Sequence, residues 1–236
     1  MTDAALDYGR FEALTFDCYG TLIDWETGIL AALRASLAVH GLGPSDDELL
    51  GRYSRAEATA EAGPYLRYRE VLARCLRQVS GHYGVEPSDT AAAAFGASVA
   101  DWPAFPDSTA ALRRLKARFR LGVITNCDDD LFAASNVRLG VEFDWVVTAQ
   151  SVGSYKPDSR NFEAAFARMG LPRERILHVA QSLFHDHVPA RRLGLSTVWI
   201  DRRHDRPGFG ASPPASVRPD ATFPDVASFA TAATRA

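Results

Sequence analysis

Short runs of apolar residues, each ending at a polar residue, recur along the chain. The clearest are "ALTF" at 13–16, "LGVIT" at 121–125 and "ILHVA" at 176–180. Two similar segments are "FDWVVTA" at 143–149 and "STVWID" at 196–201. Because these runs are mainly continuous rather than alternating with polar positions, they predict strands that are buried on both faces of a sheet.

Segments with helical periodicity separate these strands. The predicted helices cover 108–119, 130–140, 159–170 and 185–194, and several end at a glycine, as helices commonly do. Alternation of strands and helices predicts right-handed crossovers and therefore a parallel sheet with helices on both faces. The sequence thus predicts an α/β fold with a Rossmann-like parallel sheet core, completed by a short strand in "DATF" and a final helix.

The alternation of strands and helices stops between residue 26 and about residue 100, where the sequence shows helical periodicity without a convincing strand. Four helices are predicted there, the second with Ser45 and Glu48 in a capping-box pattern and the third beginning at Pro64. We interpret this block as a helical cap inserted after the first strand. The predicted domains are a catalytic core of residues 1–24 and 101–236 and a helical cap of residues 25–100.

Composition narrows the function classes. The 236 residues carry a formal charge of −3 and a pI near 6.1, so nothing favours nucleic acid or an anionic membrane, and a small-molecule partner is expected. No apolar run approaches the length of a membrane span, and "MTDAALDYGRFE" lacks the pattern of a signal peptide, so we expect a cytoplasmic protein. Its three cysteines have no metal-type spacing, which fits reduced thiols there.

The ends of the predicted strands carry residues that could perform chemistry. Ligands of parallel α/β sheets bind at the carboxyl ends of the strands. Polar residues close three of these strands, and we expect them to meet at one edge of the sheet. They are Asp17, Thr125 with Asn126, and Gln181 with Ser182.

Asp17 follows the first strand at once and precedes a tight turn at Gly20 and Thr21. If backbone N–H groups of residues 18–22 and the Thr21 hydroxyl hold its carboxylate ionised, Asp17 can attack an electrophilic carbon and form a covalent ester. The alternative interpretation is a capping residue of a strand-to-helix turn.

Four separated motifs carry a resemblance to a known family. They are "FDCYGTL", "VITN", "YKPD" and "HVAQSLFHD", and each stands at a predicted strand end or helix start. The sequence resembles the haloacid dehalogenase superfamily, and within it the type II (L-)2-haloacid dehalogenases. The resemblance implies a capped core, hydrolysis of short 2-haloalkanoic acids to 2-hydroxy acids through an aspartyl ester, and no cofactor. It also suggests a homodimer.

The motifs imply further catalytic roles. Lys156 of "YKPD" would place a positive charge beside Asp17 and stabilise the ester intermediate. Asp186 matches the later acidic position of the superfamily and is the candidate base for hydrolysis of the ester, with Ser182 as a support. His185 and His187 flank Asp186, and a shared role as base is the alternative for them. The expectation is that His185 lines the pocket and that His187 lies on a helix surface.

A second group of residues is expected to bind the substrate or the halide. Thr125 and Asn126 offer a hydroxyl and an amide after a buried strand. The cap of the family supplies an arginine for the halide and the substrate carboxylate, and the spacing to Glu57 favours Arg52, with Arg55 as the alternative. The full group is Tyr19, Arg52, Thr125, Asn126, Gln181 and His185.

Two positions separate this chain from phosphatases of the same superfamily. Those enzymes carry a second aspartate where this chain has Tyr19, and they bind Mg²⁺ with a carboxylate where it has Gln181. A neutral amide is a poorer ligand for a hard dication, and a halide leaves without a proton. The sequence therefore predicts metal-independent dehalogenation. A phosphatase with altered metal ligands and a catalytically silent metabolite-binding protein are the alternatives.

Other positions depart from the dehalogenase pattern. Phe162 stands where the family has a tyrosine, and the fourth motif keeps Ser182 and Asp186 but allows a one-residue offset in its alignment. Tyr65 and Tyr68 would either line the pocket or pack within the cap. These departures affect the expected substrate more than the reaction, and an unusual 2-haloacid, fluoroacetate included, stays within the expected range.

Overall fold

Six parallel strands form the central sheet of the protein. The fold is that of a computed structural model, which describes residues 6–235. The strand order is β3-β2-β1-β4-β5-β6, so β1 is central and pairs with both β2 and β4. The prediction of a Rossmann-like parallel sheet is confirmed. The strands are β1 Ala13–Phe16, β2 Arg120–Thr125, β3 Trp145–Thr148, β4 Ile176–Ala180, β5 Ser196–Ile200 and β6 Ala221–Phe223.

Four helices follow β1 before the chain returns to the sheet, within the segment interpreted as a cap. They are α1 Trp25–Ala38, α2 Asp46–Glu61, α3 Tyr68–His82 and α4 Asp89–Ala97, and a 3₁₀ turn at Ser98–Asp101 follows them. The predicted start of the third helix at Pro64 is wrong. Arg67 is the residue before the helix, because its N–H donates to the Glu70 carboxylate at 2.9 Å.

Helices cover both faces of the sheet, which explains why its central strands are mainly apolar. The remaining helices are α5 Ser108–Lys116, α6 Asp129–Leu139, α7 Ala149–Val152, α8 Arg160–Met169, α9 Val188–Arg192 and α10 Val226–Ala233. Leu14 packs in one buried cluster with Phe229 of α10. Its neighbour Ala13, which points to the opposite face, packs in a second cluster with Phe162 of α8.

One predicted helix has a different form. The segment predicted as a helix over 185–194 consists of a five-residue π-helical turn, Leu183–His187, followed by the short helix α9. A π-helical turn contains more residues than an α-helical one and occurs often at functional sites. Among the residues that the structure describes, no helix has the length and apolar character needed to cross a membrane.

Candidate active site

Asp17 lies directly after the central strand, at the carboxyl edge of the sheet. Its N–H donates to the Val179 carbonyl of β4 at 3.1 Å, so the sheet pairing extends to this residue. The Thr21 hydroxyl donates to Asp17 Oδ2 at 2.7 Å. Gly20 has a φ of +90°, a conformation that favours glycine, and this turn brings Thr21 back to the carboxylate.

The loop after Asp17 satisfies its own backbone groups. The N–H groups of Thr21 and Leu22 donate to the Cys18 carbonyl at 3.3 and 2.7 Å, and the Gly20 N–H donates to the Ile23 carbonyl at 2.8 Å. The prediction that these loop N–H groups hold the carboxylate is therefore wrong for residues 20–22. Side chains hold it instead.

Lys156 is buried and connects the two carboxylates of the core. Its ammonium donates to Asp17 Oδ1 at 2.9 Å, to Asp186 Oδ1 at 2.7 Å and to the Ile124 carbonyl at 2.8 Å. Burial disfavours the charged form, but the two carboxylates outweigh this effect and raise the pKa of Lys156 to about 12. Lys156 is therefore a cation at neutral pH, with fixed acceptors for its three N–H groups.

Asp186 is also held by His178, in the middle of β4. His178 Nε2 lies 3.0 Å from Asp186 Oδ1, and Nδ1 lies 2.9 Å from Thr15 Oγ1. Because a carboxylate only accepts, Nε2 carries a proton, and in the neutral ring Nδ1 accepts from the Thr15 hydroxyl. Burial opposes ionisation of Asp186, but Lys156 and His178 outweigh it and hold the pKa of Asp186 below its ordinary value.

The pKa values of Asp17 and Asp186 shift in opposite directions, although both carboxylates bond the Lys156 ammonium. Burial raises the pKa of Asp17, the Lys156 ammonium opposes this shift, and the Asp186 carboxylate adds to it. Asp186 Oδ2 is buried and has no hydrogen-bond partner among residues 6–235. Two acids whose surroundings shift their pKa values in opposite directions are suited to different roles in one reaction.

Two glutamates on consecutive turns of α2 complete the site. Glu57 is 3% exposed, and the side chain of Glu61 is 6% exposed. The Tyr53 and Tyr68 hydroxyls donate to Glu57 Oε1 at 2.7 and 2.9 Å, and the Asn126 amide donates to Glu61 Oε2 at 3.3 Å. Burial raises the pKa of Glu57 to about 7 and raises the pKa of Glu61 well above its ordinary value.

These groups enclose a small inner cavity between the cap helices and the sheet edge. Its volume of about 20 Å³ provides room for about one water molecule. An outer pocket of about 650 Å³ adjoins it, and Glu61, Lys156 and His185 line both spaces. These three side chains therefore form a shared wall between the inner cavity and the outer pocket.

Most of the predicted site residues meet at this inner cavity. Thr21 stands behind it, in contact with Asp17. His185 Nδ1 lies 3.1 Å from Ser182 Oγ, and burial lowers the pKa of His185 to about 4, so its ring is neutral at pH 7. The predicted residues that line the cavity are Asp17, Tyr19, Asn126, Lys156, Ser182, His185 and Asp186.

Tyr19 lines the cavity, but its hydroxyl is engaged elsewhere. The oxygen lies 3.0 Å from Ser135 Oγ and accepts from the Cys127 thiol at 3.3 Å. Asn126 also makes bonds with the protein: Oδ1 accepts from the Lys156 N–H at 2.7 Å, and Nδ2 donates to the Lys156 carbonyl at 3.0 Å. Asn126 thus positions the backbone of Lys156.

Arg52 does not line the inner cavity, so the structure does not bring it together with the other predicted site residues. Its guanidinium donates to Glu48 Oε1 at 3.0 Å and to the Tyr83 hydroxyl at 3.2 Å. On α2 the inward face is taken by Tyr53 and Glu57, and Arg52 falls on another face. The alternative, Arg55, is exposed and does not line the cavity either.

Three other expectations are corrected by the structure. Gln181 lies outside the cavity, because its Oε1 accepts from the Ser212 hydroxyl at 3.1 Å. Thr125 is buried away from the cavity, and its hydroxyl has no partner within the described chain. His187 is buried rather than on a helix surface, since the π-helical turn places its Nε2 3.0 Å from the Ala180 carbonyl.

The cap acids and His178 are site residues that the sequence analysis missed. Tyr53, Glu57 and Glu61 are spaced four residues apart, so they lie on one face of α2. That spacing was the available signal, because the same face carries the buried Leu49 and Leu50. The sequence analysis missed His178 because it lies within a strand whose other residues are apolar.

The arrangement does not fit a divalent cation. A metal bridging Asp17 and Asp186 would need the place that the Lys156 ammonium takes, and Gln181 directs its oxygen to Ser212. No group of three potential metal ligands is found in residues 6–235. The carboxylates of this site are arranged around an ammonium.

Comparisons with known proteins show which family the chain resembles. A family profile described as haloacid dehalogenase-like hydrolase matches residues 11–183. The (S)-2-haloacid dehalogenase H-109 of Pseudomonas putida is 28% identical over 219 residues, covering 88% of this chain and 93% of that protein. The 5-amino-6-(5-phospho-D-ribitylamino)uracil phosphatase YigB of Escherichia coli K12 is 31% identical over 205 residues, covering 81% and 84%.

A solved structure shares the fold. The crystal structure of the defluorinating L-2-haloacid dehalogenase Rha0230 superposes with a TM-score of 0.77 at 22% identity, covering 95% of this chain and 96% of that one. The family match spans most of the chain, and the matches to the two named relatives cover most of the length of each relative. The chain therefore belongs to the haloacid dehalogenase-like hydrolases.

Proposed function

We propose that the protein hydrolyses the carbon–halogen bond of short 2-halo compounds through an aspartyl ester on Asp17, without a metal. The 2-haloalkanoic acids are the class suggested by the names of several relatives, which are 2-haloacid and haloacetate dehalogenases. We include fluoroacetate in the proposed range. The observation that supports the proposal best is the Asp17 carboxylate at the cavity, held by Thr21 and Lys156, with no second acid two residues later.

The first step is displacement of the halide. An oxygen of Asp17 forms a bond to the halogen-bearing carbon, and the halide leaves with the electron pair of the broken bond. No proton is needed on the leaving group, which agrees with Tyr19 in place of an acid and with its hydroxyl engaged by Ser135. Thr21 and Lys156 hold the carboxylate in position for this attack.

The second step is hydrolysis of the ester. Water attacks the carboxyl carbon of Asp17, and the Lys156 ammonium stabilises the negative charge that develops on the carboxyl oxygen. Asp186 is the proposed proton acceptor, because it lines the cavity while its buried Oδ2 lacks a partner among the described residues. Lys156 and His178 fix the other oxygen of that carboxylate. The hydroxy product leaves and Asp17 is regenerated.

A phosphatase is the second candidate, since one relative of comparable identity carries that name. Phosphate-ester hydrolysis would need a proton for the departing alcohol and charge neutralisation of the phosphate. Tyr19 and Gln181 stand at the positions expected to supply these functions, and neither side chain offers an acid. The site therefore favours displacement at carbon.

The test is halide release by purified protein in EDTA, with Asp17→Asn as the control. Chloroacetate, 2-chloropropionate, fluoroacetate and chloroacetamide are the substrates. Halide release that persists in EDTA and is lost in the variant supports the proposal. In ¹⁸O-labelled water, the first turnover should give unlabelled product, because the new hydroxyl oxygen comes from Asp17. Phosphate-ester hydrolysis that requires Mg²⁺, without halide release from any substrate, would favour the phosphatase.

A further inference from the structure

The histidine in the middle of β4 has a fixed place beside the site. Thr15 of β1 and His178 are paired residues of neighbouring parallel strands, so their side chains lie on the same face of the sheet. Asp17 follows Thr15 by two residues and belongs to that face as well. The Thr15 and His178 side chains are both buried. The register of the two central strands therefore places an imidazole ring next to the carboxylates of the site.

The neighbours of the His178 ring set the direction of its hydrogen bonds. A hydroxyl can donate or accept, whereas an ionised carboxylate only accepts. With Asp186 ionised, Nε2 donates to Oδ1 over 3.0 Å, and the Thr15 hydroxyl donates to Nδ1 over 2.9 Å. The Thr15 contact therefore stabilises the tautomer with its proton on Nε2, in which the ring faces Asp186 as a donor.

The Asp186 carboxylate is held at one oxygen only. His178 and the Lys156 ammonium both donate to Oδ1, at 3.0 and 2.7 Å, and Oδ2 is buried without a partner among residues 6–235. The two donors come from different parts of the chain, namely β4 and the loop before α8. A single donor to one oxygen leaves the carboxylate free to turn about that contact, whereas two donors restrict its plane. Lys156 supplies the charge, so the distinct contribution of His178 is orientation.

We propose that His178 is a positioning residue for hydrolysis of the aspartyl ester, which holds Asp186 as an oriented proton acceptor and has no part in halide displacement. The inference rests on the proposed function and assigns a residue to its second step. In that step water adds to the carboxyl carbon of Asp17, and Asp186 accepts a proton from it and returns that proton to the alkoxide that leaves as the acyl C–O bond breaks. The acid formed at Asp17 loses its proton to solvent, and His178 keeps its own proton throughout.

A departure from the family pattern supports this assignment. Phe162 stands where the resemblance leads to a tyrosine, and its ring packs edge-on against His178 with the ring centroids 5.0 Å apart. A phenyl ring offers no N–H or O–H donor to the site. Among the described residues, the side chains that donate to Asp186 are those of His178 and Lys156. The imidazole therefore provides a donor in a part of the core where Phe162 cannot.

The test follows the two steps separately in His178→Phe and His178→Gln. Phenylalanine keeps a ring in the core without a donor, whereas the glutamine amide restores an N–H group. Quenched-flow mixing with the 2-halo compound that the wild type turns over fastest gives the rate of the first halide equivalent, and intact mass gives the ester on Asp17. In His178→Phe we expect a wild-type displacement rate and ester hydrolysis slowed by about 10–100-fold, so that the ester accumulates. His178→Gln should hydrolyse the ester faster than His178→Phe.

His187→Phe is the matched control, because it removes another buried imidazole, one that bonds the Ala180 carbonyl instead of Asp186. It should lower the melting temperature without lengthening the lifetime of the ester. Thr15→Val, which replaces the hydroxyl by a methyl group of similar size, should lengthen that lifetime to a smaller extent than His178→Phe. Thr15→Val also serves as the test if His178→Phe does not fold.

Unchanged ester hydrolysis in a folded His178→Phe protein would overturn the inference, as would equal slowing of both steps or an equal effect in His187→Phe. No halide from the wild type would instead contradict the proposed function. The direction of the hydrogen bonds then decides the inference on its own. In ¹⁵N NMR of histidine-labelled protein, the His178 signals, identified by their loss in His178→Gln, should show a proton on Nε2 and none on Nδ1. A proton on Nδ1 would reject the inference.

Discussion

The ammonium of Lys156 donates to Asp17 Oδ1 at 2.9 Å, and both side chains are buried. Because the same ammonium reaches Asp186, one cation neutralises two carboxylates that the sequence separates widely. Removing a partner from a buried ion pair leaves an uncompensated charge, which costs more than the loss of a surface pair. Stability and activity should therefore fall together when this lysine is lost.

Lys156→Gln tests this relationship. We expect kcat to fall by about 10²–10³-fold, since a donor aimed at the developing charge is weakened, and the free energy of unfolding to fall by about 3–5 kcal/mol. Without the ammonium the pKa of Asp17 rises further, so the acidic limb of the activity profile moves to higher pH. Halide-release assays and urea denaturation measure these effects.

The matched control is Lys116→Gln, which changes the only other lysine of the chain. Lys116 pairs with Asp144 at 3.2 Å near the surface, with side chains about one-third exposed. Its loss should cost at most about 1 kcal/mol and leave kcat unchanged. Equal losses in the two variants would show that the buried position of Lys156 is unimportant.

Glu57 should make stability depend on pH. Folding raises its pKa from 4.5 to about 7, so between these values the folded protein holds a proton that the unfolded chain has lost. The stability contribution of this residue is fully present below pH 4.5 and is lost as the pH rises through 7. Relative to Glu57→Gln, which does not titrate, the wild type should lose roughly 1–3 kcal/mol between about pH 4.5 and 8.

Urea denaturation of both proteins at the two pH values measures the difference. Glu48→Gln is the control, because hydrogen bonds from Tyr83 and Arg52 lower the pKa of Glu48, which is the opposite direction to the shift at Glu57. A wild type that gains stability relative to Glu57→Gln as the pH rises would contradict the assignment of a buried, proton-holding carboxyl.

Arg52→Gln distinguishes the position seen in the structure from the role expected from the sequence. Because Arg52 bonds Glu48 and Tyr83 outside the cavity, kcat/KM should stay within about twofold of the wild type. An arginine that bound the substrate carboxylate in a buried site would instead cost 2–5 kcal/mol, which is at least about thirtyfold. Assays with chloroacetate and chloroacetamide decide between these outcomes.

Gly28→Ala tests the contact of the first cap helix with the core. A methyl group on Gly28 of α1 would overlap the indole ring of Trp102, so we expect a loss of about 1–3 kcal/mol. Gly81→Ala on α3 is the control, since a methyl group there meets no atom within 4 Å. That change should be neutral or stabilising by up to about 1 kcal/mol. Thermal denaturation of the two variants compares them directly.

The core fold was predictable because its signals are local. Each strand of the sheet is a short apolar run, and burial on both faces requires that pattern. Four motifs at strand ends or helix starts likewise indicated Asp17 and Lys156, which the fold brings together at one edge of the sheet. The first and last residues of the helices were less predictable where capping sets them, as at Arg67 before α3.

The cap side of the site was not predictable in the same way. Whether Arg52 or Glu57 faces the cavity depends on the rotation of α2 against the sheet edge, which is set by packing between distant segments. The alignment of the fourth motif was also ambiguous from the sequence alone. The π-helical turn Leu183–His187 contains more residues than an α-helical turn, so sequence spacing alone leaves its register ambiguous by one residue.

The shared wall between the outer pocket and the inner cavity links two kinetic steps. Glu61 belongs to that wall and also lines the inner cavity, where its Oε2 accepts from the Asn126 amide. A molecule that diffuses inward meets this carboxyl group during transit and again after arrival. A substitution at Glu61 therefore changes both the rate of admission and the affinity, and natural selection could not adjust one of these properties through this residue without altering the other.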